Sequence, residues 1–190
     1  MNRRELLTAA AALGVAAAIA MPATGRAESR EVIETRVRVA LDEMYRTVPG
    51  ARDLAERARA VLVMPHVVKG GFILGGSYGE GALLMNGQGG LSGPAAAYYS
   101  VASASVGLQA GVQKSSHALF FMTEDAVERF QRSDGWEIGA DAEVTFPDNG
   151  ITAQTNTTII DKPVVGVVFG QDGLLLGASL QGAKYSAIVR

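Results

Sequence analysis

The sequence predicts an α+β domain: a curled antiparallel β-sheet or barrel-like core with N-terminal amphipathic helices and one inserted helix. Three observations predict it. Apolar residues recur every three or four positions from Arg30 to Val48, then give way to short strand-like runs after Ala60. Glycine occurs 23 times in 190 residues, often inside or beside those runs, where it marks bulges, bends and close backbone approach. Between Gly81 and Thr123 the only lysine, arginine, aspartate or glutamate is Lys114, so that stretch is buried or faces something apolar.

The first 27 residues read as an export signal. Arg3 and Arg4 form a basic start, Leu6 to Met21 an uncharged apolar middle, and Gly25-Arg26-Ala27 a small-residue exit after Pro22. Cleavage is expected after Ala27. The run Asn2-Arg3-Arg4-Glu5-Leu6-Leu7 fits a twin-arginine signal better than general secretion. The apolar run falls short of the roughly 20 residues that span a bilayer, so a removed segment is favoured over a retained anchor. The expected organisation is a signal peptide over 1–27 and a single domain over 28–190, working in the periplasm or otherwise outside the cytoplasm.

Along the mature chain, Ile33, Val37, Leu41, Met44 and Val48 form one helical stripe. Pro49-Gly50 interrupts, and Ala51 to Ala60 reads as a second, shorter helix. Val61 to Met64 is a short buried strand closed by Pro65. Gly71–Tyr78, Ala82–Met85, Ala96–Ser105, Leu108–Gln113 and Ala118–Met122 follow as strand-like segments. Thr123-Glu124-Asp125 is a helix start, a hydroxyl cap with two acids in the first turn, and that helix runs to about Arg132. Asp141–Phe146, Ile151–Ile160, Val164–Phe169 and Leu174–Leu180 read as further strands, with turns at Pro147–Gly150 and at Gln171-Asp172-Gly173.

Charge narrows the function classes. Without residues 1–27, 17 basic and 19 acidic residues become 14 and 18, a net charge of −4. A mildly acidic domain lacks the basic footprint that nucleic acid requires. The absence of cysteine removes disulfides, thiolate metal sites and the attachment point of a lipoprotein.

Few residues suggest chemistry. His66 and His117 are the only histidines, and no spacing gathers carboxylates around them. Gly75-Gly76-Ser77-Tyr78-Gly79 matches the Gly-x-Ser-x-Gly pattern of a hydrolase elbow, but no helical period follows it. The glycines from Gly70 to Gly81 lack the spacing of a phosphate-cradling loop. Asp141, Glu143, Asp148 and Asp161 lack the spacing of a calcium loop. None of these patterns calls for a catalytic residue, a metal or a cofactor. On the first helix Arg36, Arg38 and Arg46 suit anionic head groups, against the plainer reading of a helix docked on the sheet. Glu31, Glu34, Asp42 and Glu43 beside them weaken a purely electrostatic attraction.

Several blocks carry a resemblance. Met64-Pro65-His66-Val67-Val68-Lys69-Gly70-Gly71-Phe72 leads into Gly75-Gly76-Ser77-Tyr78-Gly79-Glu80-Gly81. Ser105-Val106-Gly107-Leu108-Gln109-Ala110-Gly111, Ile138-Gly139-Ala140-Asp141-Ala142 and Gly173 through Gly182 follow in order. Together they resemble the SYLF-domain family, also described as a yeast-type actin-patch domain, over roughly Val32 to Tyr185. The chain departs at Leu91-Ser92-Gly93-Pro94, where the family has an aromatic residue, and at Phe146 to Gly150, where it has a Gly-Pro turn.

The resemblance implies lipid binding without catalysis, since family members bind phosphoinositides and some bind actin. For an exported bacterial member the expected partner is an envelope phospholipid or membrane surface, with no cofactor. Lys69 matches the family's lysine. The expected lipid-binding set is Lys69, Arg36 and Arg38, with Arg46 and Lys114. The competing expectations are a protein-interaction or self-association module and a hydrolase built on Ser77.

Overall fold

The computed structural model describes residues 28–71, 74–87, 90–106, 111–141, 144, 162–172, 180 and 182–190. The expected signal segment 1–27, the turn 147–150, the strand 151–160 and most of the strand 174–180 lie outside them. Among the described residues three helices, α1 (Arg30–Thr47), α2 (Ala51–Arg57) and α3 (Glu124–Arg132), accompany seven strands. These are β1 (Ala60–Gly71), β2 (Leu74–Met85), β3 (Ala97–Val106), β4 (Gly111–Phe121), β5 (Trp136–Glu137), β6 (Val164–Asp172) and β7 (Lys184–Ile188). All seven form one sheet in the order β5-β7-β3-β2-β1-β4-β6, and every pairing is antiparallel. The fold is α+β around a curled antiparallel sheet, a half-barrel.

The sheet has two buried faces. Val61, Val63, Ala82, Leu84, Ala118 and Phe120 pack with Ile33, Val37, Leu41 and Met44 of α1 on the outer face. Leu62, Met64, Leu83, Leu119 and Phe121 pack with Val127 and Phe130 of α3 on the inner face. Curling is evident because side chains from distant strands meet on that inner face. Phe121 of β4 and Trp136 of β5 have ring centroids 6.3 Å apart, and Phe130 lies between 4.6 and 6.4 Å from Tyr99, Phe121, Trp136 and Tyr185. Thr123 caps α3 as its sequence predicts, its hydroxyl accepting the Ala126 N–H at 3.2 Å.

Several expected boundaries move. The second helix ends at Arg57, because Ala58 is extended and β1 starts at Ala60. Pro65 does not close the strand, and β1 continues through it to Gly71. Proline cannot donate to a ladder, so a central strand accommodates it only at a bulge. Here the register slips between Met64 and Val67 on one side and between Val63 and Val68 on the other, and His66 takes a φ of 53°. On β2 the space is made by Gly79 and Gly81: a Cβ on Gly81 would lie 2.0 Å from the Val63 carbonyl oxygen. The segments Gly71–Tyr78 and Ala82–Met85 therefore join largely into one strand, β2, and Leu108–Gln113 joins Ala118–Met122 in β4 from Gly111 onward.

Downstream, Asp141 lies in a turn rather than a strand and accepts the Glu137 N–H at 2.6 Å. Gln171 and Asp172 belong to β6, not to a turn. That strand is prolonged past a second register slip at Gly170, whose φ is +59°.

Candidate functional site

The bulge at Pro65-His66 decides where the basic residues of the sheet point. Before it, Val61 and Val63 face α1; after it, Val67 joins the inner cluster instead, because a one-residue slip exchanges the two faces of a strand. Lys69 therefore lies on the inner face, half-buried, in register with Ser77 and Gln113. Ser77 Oγ is 2.7 Å from Ser103 Oγ on that face. Lys114 is paired with Val68 and is exposed on the outer face. The two lysines expected to act together stand on opposite sides of the sheet.

The arginines of α1 are also dispersed. Arg36 forms an ion pair with Glu28. Arg38 reaches the carbonyls of Ser92 and Gly93 at 3.4–3.5 Å, and Arg46 donates through Nε to the Asp42 main-chain oxygen at 3.2 Å. Ser77 sits in mid-strand rather than on the strand-to-helix turn that a nucleophile elbow requires. His117 is fully buried against Tyr185, and burial holds its pKa down at about 3, so the ring is neutral and shut off from solvent. No helix among the described residues is long and apolar enough to cross a membrane.

Two features were not read from the sequence. The first is an apolar patch on the outer face past the bulge. Val68, Tyr78 and Val112 are 41%, 55% and 70% exposed. They lie on adjacent strands, Val68 in register with Tyr78 and Lys114, and Gly70 with Val112. Lys114 adjoins them. Each residue is ordinary singly, and only the bulge brings them to one face. Beside the patch, Glu80 accepts hydrogen bonds from Arg190 at 2.5 Å and Tyr78 at 2.7 Å. Burial pulls the Glu80 carboxyl up, but these hydrogen bonds outweigh it and hold the group below its usual range.

The second feature is a cleft of about 440 Å³ at the other end of the strands, between α1, α2 and the chain following β2. It is lined by charged side chains of both signs, including Arg38, Asp42, Arg52 and Glu56, and by Tyr45 and Leu91. The Arg52 guanidinium lies over the Tyr45 ring, 4.5 Å from its centroid.

A family model described as Ysc84: Las17-binding protein actin regulator matches residues 102–188, the stretch that carries half of β3 and all of β4, α3, β5, β6 and β7. No curated protein matches the chain. The blocks at Ser105–Gly111, Ile138–Ala142 and Gly173–Gly182 fall inside the matched stretch, whereas those at Met64–Phe72 and Gly75–Gly81 precede it. Residues 102–188, a little under half of the chain, match the model of the Ysc84 family, which is the SYLF-domain family that the sequence blocks resemble.

Proposed function

We propose that this is a non-catalytic phospholipid-binding domain, formed by residues 28–190 after export and acting at the bacterial cell envelope. The observation that carries the reading is the patch of Val68, Tyr78 and Val112 with Lys114 beside it. Fully burying a valine or similar side chain gains about 1.5–3 kcal/mol, while a lysine near an anionic surface adds about 1 kcal/mol. Insertion of the apolar patch therefore dominates, and Lys114 contributes a secondary preference for anionic head groups. Tyrosine suits this position, with an apolar ring and a wet hydroxyl. Arg36 contributes less than its sequence suggests, because Glu28 already holds it.

Flotation with neutral and with anionic phospholipid vesicles tests the reading. Binding to both, stronger to anionic vesicles and largely retained in high salt, is expected. Failure to float with either would end it. A second reading is favoured by the family description, which names a protein partner: the same patch docks a protein or a second copy. A molecular mass above that of the monomer in lipid-free solution would favour that reading.

A further inference from the structure

The charges around the α1–α2 cleft form no ion pairs among the described residues. On a helix, an acid four residues before a base pairs better than the reverse. On α3 the favourable order holds, and both pairs close: Asp125 with Arg129, and Glu128 with Arg132 at 3.1 Å. On α1 that order also occurs, in Glu34 before Arg38 and Asp42 before Arg46, yet neither forms an ion pair among the described residues, and the two pairs facing the cleft run the other way. Arg38 precedes Asp42 and Arg52 precedes Glu56, and neither pair forms an ion pair among the described residues. All four side chains line the same cleft.

The two guanidinium groups are held in place by something other than a counter-charge. Arg38 leans on the Ser92 and Gly93 carbonyls, and Arg52 stacks on Tyr45. Arg46 bonds the main-chain oxygen of Asp42, not its carboxylate. The wall of the cleft is fixed by Asn86, whose side-chain amide donates to the carbonyls of Ala55, Glu56 and Ala58 at 2.8–3.1 Å. Two guanidinium groups and two carboxylates thus meet in a preformed hollow of a size typical for small-molecule sites.

That lining sums to no net charge, so an ion of either sign meets as much repulsion as attraction. A ligand bearing both signs meets attraction at each end. Guanidinium groups favour phosphate or carboxylate oxygens through paired N–H donors, and Asp42 and Glu56 are acceptors for an ammonium. We propose that the α1–α2 cleft binds a small zwitterion carrying an oxyanion and a primary ammonium, with phosphoethanolamine as the probe. The cleft lies at the opposite end of the strands from the apolar patch, so this site stands independently of the vesicle-binding reading.

Calorimetric titration of the full chain with phosphoethanolamine, inorganic phosphate and ethanolamine tests the proposal. Saturable binding of phosphoethanolamine, with each single-charge fragment weaker by about tenfold or more, is expected. Arg52→Gln and Asp42→Asn should each weaken it by about tenfold. Both residues are exposed, and unchanged melting of the variants confirms that they fold. Phosphate binding as well as phosphoethanolamine, or no binding of phosphoethanolamine, overturns the proposal. Phosphatidylcholine vesicles with and without phosphatidylethanolamine identify the source: added binding in the second assigns a lipid head group, and equal binding a free metabolite. A Val68→Thr/Val112→Thr variant that loses vesicle binding but keeps the titration separates this site from the apolar patch.

Discussion

Tyr185 Oη lies 2.8 Å from His117 Nε2, although three strands separate β7 from β4 in the sheet. In a flat sheet, four inter-strand spacings would hold them about 19 Å apart at the backbone. The contact is thus a direct measure of how far the sheet curls, and it closes the inner face around Phe130. His117 Nδ1 has no hydrogen-bond partner among the described residues, so the Tyr185 hydroxyl is the ring's one hydrogen-bond partner among them.

Removing that hydroxyl should be costly. Tyr185→Phe leaves both ring nitrogens of a fully buried histidine without a partner, and an orphaned buried polar group costs about 1–3 kcal/mol. Urea denaturation should show a midpoint shift of that size with an unchanged slope. An unaltered midpoint would mean that the pair is incidental to the curl.

The same histidine sets a pH dependence. Burial lowers its pKa in the folded protein from the ordinary 6.5 to about 3. The unfolded chain therefore binds a proton near pH 6.5 that the folded chain refuses. Stability is fully present above pH 6.5 and is lost as pH falls from there toward 3, at up to about 1.4 kcal/mol per pH unit. Glu80, held below its usual range, adds a loss of the same sign, but only below the ordinary carboxyl value of 4.5. Between pH 6.5 and 5 the slope should therefore report His117. Denaturation midpoints of His117→Leu across that window should be nearly flat, and a slope equal to wild type would refute the assignment.

Glycine-rich sequence around Ser77 invites a phosphate-loop reading, and the structure gives those glycines a steric task. A methyl on Gly81 would meet the Val63 carbonyl oxygen at 2.0 Å and the Met64 Cα at 2.9 Å, and backbone cannot step aside as a flexible side chain can. Gly81→Ala should destabilise by about 2 kcal/mol or more. Gly87, where an added methyl would meet nothing within 4 Å, is the control, and Gly87→Ala should change stability by less than about 0.5 kcal/mol. Equal thermal shifts for the two would remove the close-approach argument.

What the sequence made legible follows from local physics. The stripe Ile33-Val37-Leu41-Met44 produced α1, and the Thr123 cap with its two acids produced α3, because both signals act within a few residues. The scarcity of charge around Lys114 marked strands that bury Leu83, Tyr99, Leu119 and Phe120, although Met85 and Val112 of the same stretch are exposed. The candidate site was less legible. Pro65 has no N–H and reads as a strand end, yet a bulge with His66 at positive φ carries the strand onward and reverses its faces. Lys69 stands out by its match to the family's lysine and Lys114 by its isolation among uncharged residues, and only the register puts them on opposite sides. Trp136–Glu137 and Lys184–Ile188 escaped notice because two and five residues without clean alternation carry too little period to read.

The apolar patch yields the prediction that bears most on function. Val68 and Val112 are 41% and 70% exposed, and threonine keeps their branched shape, which suits a strand. Val68→Thr/Val112→Thr should therefore change stability little. Vesicle binding should fall by about tenfold or more, because two apolar side chains no longer gain by leaving water. Lys114→Gln should instead remove about 1 kcal/mol, and only on anionic vesicles. Arg36→Gln should leave flotation unchanged, since Glu28 already neutralises that guanidinium. The opposite ranking, with Arg36→Gln abolishing flotation and the valine pair dispensable, would transfer the binding surface from the outer sheet to α1.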